Sequence, residues 1–135
     1  MNATNCPDIK WGSVMLDCDN PEELAEFYAK LLGGEVNTMP FTDEWAEVKL
    51  PDTSLSICFQ KEPLYKRPVW PAVDGSEQQM MTHLDFTVKN REEAVAFALS
   101  LGATMPSEQF CPPDWPHPWT TLLDPAGHPF CLTQI

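Results

Sequence analysis

His83 and Asp85 stand two residues apart in the alternating run Thr82 to Val88, so a strand there carries both side chains on one face. Leu84, Phe86 and Val88 then occupy the other face. An imidazole titrates near neutral pH and can act as general acid or base, and a carboxylate beside it can hold a cationic group. The alternative is equally open: a histidine hydrogen-bonded within the sheet and an aspartate anchoring a loop. Asp17, at the end of the run Gly12 to Cys18, offers a carboxylate to a cationic ligand or simply turns the chain before Asp19-Asn20. Cys131 is a nucleophile if a neighbour lowers its pKa and otherwise an inert buried thiol, and Cys58 has the same two readings.

Aromatic residues form a second group. Trp115 and His117 lie in Cys111 to Pro118, which has four prolines and no periodicity, and Trp119 follows it directly. Such a segment reads as an extended loop. Loops hung on a rigid sheet carry recognition, and tryptophan stacks on flat or cationic ligands. The same residues can instead cover a sheet edge or a subunit contact. Trp45 and Trp70 present the same choice.

Eight basic residues against twenty acidic ones give a net charge of −12, which repels phosphate backbones and argues against nucleic acid as a partner. The excess of carboxylates suits a cationic or neutral small ligand, or serves solubility. At 135 residues the chain is one domain. No apolar run approaches the roughly 18 residues that span a bilayer, so no membrane partner is expected. Met1 to Lys10 has neither a basic start nor an apolar stretch and does not read as a signal peptide. The five cysteines, odd in number and without a C-x-x-C pair, read as reduced thiols in a cytoplasmic setting.

The elements that must position these residues come in two copies. Asn20-Pro21-Glu22-Glu23-Leu24-Ala25-Glu26-Phe27 returns 70 residues on as Asn90-Arg91-Glu92-Glu93-Ala94-Val95-Ala96-Phe97. Each copy follows a strand-like run. Each opens with an asparagine N-cap and a glutamate three residues later, placed to reach back to the cap's own amide. Leu24, Phe27, Leu31 and Leu32 form one helical stripe, and Ala94, Phe97, Ala98 and Leu101 form the other. Gly33-Gly34 and Gly102 are left-handed C-cap candidates. Three strands are expected after each helix: Glu35–Thr38, Trp45–Leu50 and Ser54–Gln60, then Thr104–Met105, Trp119–Leu123 and His128–Gln134. Asp124-Pro125-Ala126-Gly127 is a β-turn signature. Module one therefore spans 11–60, a linker 61–80 and module two 81–135.

These modules, with Leu24-Ala25-Glu26-Phe27-Tyr28, His83-Leu84-Asp85 and Asp124-Pro125-Ala126-Gly127-His128-Pro129-Phe130-Cys131, resemble the glyoxalase/bleomycin-resistance/extradiol-dioxygenase superfamily, also called vicinal oxygen chelate. More narrowly, Trp70-Pro71 leading into His83-Leu84-Asp85 is similar to bacterial glyoxalase-like domain proteins. The resemblance implies an α+β fold. Two tandem βαβββ modules form a curved, mainly antiparallel sheet around a central cleft, with the helices outside and a homodimer as the usual assembly. It also implies four metal-ligand positions, which fall here on Ser13, Gln60, His83 and Cys131. Only histidine and a deprotonated cysteine among them are good ligands, so no metal or other cofactor is expected. Three functional readings stay open. The chain binds a small molecule in its cleft, with or without catalysis by His83 and Asp85. It is a metal-dependent lyase, isomerase or dioxygenase. Or it is an interaction module with a vestigial cleft.

Overall fold

The computed structural model describes Asp8, residues 11–75 and residues 82–135. Cys6, the end of the linker and the start of module two at Met81 lie outside the described residues. The first module runs β1 (Val14–Cys18), α1 (Pro21–Leu32), β2 (Glu35–Met39), β3 (Thr42–Lys49) and β4 (Ser56–Lys61). The second runs β5 (Leu84–Val88), α2 (Arg91–Ser100), β6 (Trp119–Leu123) and β7 (Pro129–Gln134). Each module has its own hydrogen-bonded sheet, ordered β1-β4-β3-β2 and β5-β7-β6. The first and last strands of each module pair in parallel, and the remaining pairs are antiparallel.

Both helices start as the sequence predicts. The Asn20 and Asn90 side chains accept from the amides of Glu23 at 3.2 Å and Glu93 at 3.1 Å. The glutamate does not reach back to the backbone, however. Its carboxylate accepts from the Asn20 side-chain amide at 3.2 Å, a shorter loop that closes the same turn. Helix α1 ends at Gly33 with φ 73°, a left-handed conformation that suits glycine.

The helices are buried unequally. Leu24, Ala25, Phe27 and Tyr28 of α1 belong to one core cluster with Ile57 and Phe59 of β4 and Phe130 and Leu132 of β7. The Tyr28 ring stacks on Phe59 at 5.6 Å and also meets Phe86 and Phe130 of the second module. In α2 only Ala98 is fully buried. Phe97, expected on its apolar stripe, is 49% exposed. The packed face is Ala94, Val95, Ala98 and Leu101, and Phe97, one residue before Ala98, is rotated about 100° away from it.

The expected strand at Thr104–Met105 is a single bridge. Thr104 and Leu123 exchange two backbone bonds of 2.9 Å, and the ladder stops there. Pro106 follows, and a proline has no N–H with which to extend it.

Candidate functional site

In the second sheet, Asp85 pairs in register with Cys131, and Cys131 with Thr121, across β5-β7-β6. Because side chains alternate along a strand, these three, with Thr133 and Trp119, lie on the face away from the core residues Phe130 and Leu132. That face floors a cavity of about 500 Å³. Its aromatic lining is Trp119 from β6, Phe110 from the loop before it and Trp70 from the segment after β4. Trp70 and Phe110 meet edge to face at 5.7 Å. His83, just ahead of β5, is also in the lining.

The polar groups of the floor are partly committed. Thr133 Oγ1 donates to Asp85 Oδ1 at 2.7 Å, which fixes the carboxylate and leaves Oδ2 for a ligand. Thr121 Oγ1 and Cys131 Sγ are 3.3 Å apart. Burial pushes the Cys131 thiol above its ordinary 9.0, against the Thr121 hydrogen bond, and Asp85 adds to the rise. Among the described residues, no charged neighbour lowers the pKa of this thiol to activate it as a nucleophile.

The structure thus brings together His83, Asp85, Trp119 and Cys131. It places the other candidates elsewhere. Asp17, Gln60 and Trp45 stand in register across β1, β4 and β3, on the face of the first sheet. Asp17 lines a different cavity, of about 450 Å³, with Tyr65 and His128. Ser13 is exposed ahead of β1, and His117 is exposed in the proline-rich loop. Trp115 is half exposed and packs edge to face on Trp119 at 6.0 Å. Cys58, on the Gln60 strand, is buried.

The family model for the glyoxalase-like domain matches residues 13–133, nearly the whole chain. The chain belongs to the glyoxalase-like domain family. It is accordingly a member of the vicinal oxygen chelate superfamily. No curated protein matches this glyoxalase-like domain in sequence. Among solved structures, it is similar to a glyoxalase family protein from Enterococcus faecalis, with 24% identity over 93% of this chain and 97% of that one, at a TM-score of 0.62. A glyoxalase/bleomycin resistance protein/dioxygenase family enzyme from Burkholderia phytofirmans shares 18% identity over 91% and 96%, at 0.65. The fosfomycin resistance protein FosX from Listeria monocytogenes shares 13% over 94% and 91%, also at 0.65. At these identities the likeness is one of fold.

The superfamily resemblance implies a divalent metal, and the donor set of this glyoxalase-like domain does not fit one. Of the four positions, Ser13 and Gln60 supply a hydroxyl and an amide, and the Cys131 thiol resists deprotonation. Among the described residues, no group of three or more His, Cys, Asp or Glu side chains is arranged to hold an ion.

A buried polar network at the junction of the modules was not legible in the sequence. Asp124, fully buried in the turn between β6 and β7, accepts from Tyr28 Oη at 2.7 Å and from the backbone amides of Ala126 and His128. The His128 ring lies 3.0 Å from its Oδ2 through Nδ1. Tyr65, in the segment after β4, donates to the Ala126 carbonyl at 2.6 Å. The only local signal was the turn motif, which explains Asp124 as a turn residue and says nothing of Tyr28.

Burial holds several protons in place here and nearby. It pushes the Cys18 thiol up from 9.0 to about 11. It also drives the Tyr28 and Tyr65 hydroxyls above their ordinary 10.0, with Asp124 adding to each. The unfolded chain ionises these groups from pH 9 to 10 while the folded protein keeps them neutral. Their stabilisation is therefore complete below about pH 9 and is lost as pH rises beyond it. Thermal midpoints recorded from pH 8 to pH 11 should fall across that range, and a flat profile would contradict these assignments.

Proposed function

We propose that this glyoxalase-like domain binds a small, flat molecule with a cationic or hydrogen-bond-donating group in the cavity over β5-β7-β6, without a divalent metal. The observation that carries the reading is the lining itself: three aromatic side chains around a floor whose one carboxylate, Asp85, is fixed by Thr133 and open to the cavity. Pockets of several hundred Å³ with apolar walls and few oriented polar groups are the usual form of small-molecule sites. His83 in the same lining is in place to exchange a proton with the bound molecule. The four described cysteines are free, which suits a reducing cytoplasm. A homodimer remains part of the proposal, and sedimentation equilibrium reads it directly.

Thioflavin T, a flat aromatic cation, is a suitable probe, with the anionic dye anilinonaphthalene sulfonate as its counterpart. The cation is expected to bind saturably and to weaken about tenfold in Asp85→Asn, which keeps the shape of the side chain and removes its charge. Equal binding of the two dyes, or an unchanged Asp85→Asn, would sink the cationic assignment.

A further inference from the structure

Gln109 lies in no strand or helix, yet its side-chain amide grips the free edge of β6. Nε2 donates to the Thr121 carbonyl at 2.7 Å, and Oε1 accepts from the Thr121 amide at 2.8 Å. The register explains why a side chain does this work. Thr104 and Leu123 exchange both backbone bonds, so the next such pair along the antiparallel ladder is Pro106 with Thr121. A proline cannot donate to the Thr121 carbonyl. A primary amide offers the same donor and acceptor as a peptide group, and that of Gln109 meets the edge Pro106 cannot serve.

Two parts of the site adjoin this contact. Phe110, the next residue, is an aromatic wall of the cavity and carries Trp70 on its ring. Thr121, the residue gripped, places its own hydroxyl against Cys131 in the floor. We infer that Gln109 is a positioning residue for the pocket: its amide replaces a missing peptide partner and thereby sets Phe110, and Trp70 with it, over the floor. The effect on ligand binding rests on the function proposed above, whereas the effect on Phe110 and Trp70 does not.

The test uses the full chain labelled with fluorotryptophan and read by fluorine NMR, with Trp70 assigned through Trp70→Phe. Without any ligand, Gln109→Ala should shift or broaden the Trp70 signal while Trp45, on the other sheet, stays in place. Thioflavin T affinity should fall about tenfold. Gln109→Glu supplies a condition that a merely structural role would not meet. An ionised carboxylate can accept from the Thr121 amide but repels the Thr121 carbonyl, whereas a protonated carboxyl donates to one and accepts from the other. The Trp70 signal of Gln109→Glu should therefore be displaced at neutral pH and return toward the wild-type position near about pH 5, where proximity to the carbonyl favours the proton. An unmoved Trp70 signal in Gln109→Ala, or no return in Gln109→Glu, overturns the inference. If both signals behave as expected but the wild-type protein binds no dye, the positioning role stands and the proposed ligand fails.

Discussion

Asp124→Ala should lower stability by about 3–5 kcal/mol, because it takes the acceptor from several buried donors at once. The carboxylate is fully buried and accepts from Tyr28 at 2.7 Å, from Ala126 at 2.9 Å and from the His128 amide at 3.0 Å. Alanine leaves all of these donors, and the His128 ring, without their acceptor in a space that water cannot readily serve. Each orphaned buried group costs about 1–3 kcal/mol, so even partial relaxation leaves a large loss. Asp124→Asn keeps one acceptor oxygen and should fall between alanine and wild type. Urea denaturation measures all three, and an Asp124→Ala loss below about 1 kcal/mol would show that the network holds nothing together.

Trp119→Ala should weaken thioflavin T binding by at least about thirtyfold, as is common for a central tryptophan anchor. Its ring lines the cavity and packs on Trp115, so truncation removes an aromatic surface and loosens the residue behind it. Trp45→Ala is the matched control, because Trp45 sits on the other sheet in register with Gln60. Fluorescence titration of both variants decides the matter. Equal losses would deny the second module a special part in binding, and no loss in either would remove Trp119 from the site.

Much of the fold was legible because local signals agreed with one another. Asparagine caps, glycine ends and alternating runs each specify structure within a few residues, and the internal repeat supplied them twice. Where a local rule met a tertiary constraint, the tertiary constraint prevailed. Phe97 satisfies the helical period, yet the sheet beneath α2 accepts alanine and valine and leaves the ring outside. Thr104-Met105 begins like a strand, and Pro106 ends it after one bridge. The candidate site was legible only on its regular side. His83, Asp85, Trp119 and Cys131 share a face because strands alternate. Phe110 and Gln109 come from an irregular segment with no period to read, and Trp70 was visible only as an uncommitted aromatic. Tyr28 and Asp124 are 96 residues apart, so no local pattern could join them.

The placement of Tyr28 also says what became of the duplication. A repeat in the sequence suggests two halves that could be parted at the segment between them. Tyr28 belongs by sequence to the first half, but its ring touches Phe86 and Phe130 and its hydroxyl ends on Asp124, all in the second. The first helix is thus common property, whereas the second packs chiefly on β6 and β7 of its own module. The halves repeat along the sequence and depend on each other in structure, with a boundary that exists along the chain and not through the molecule.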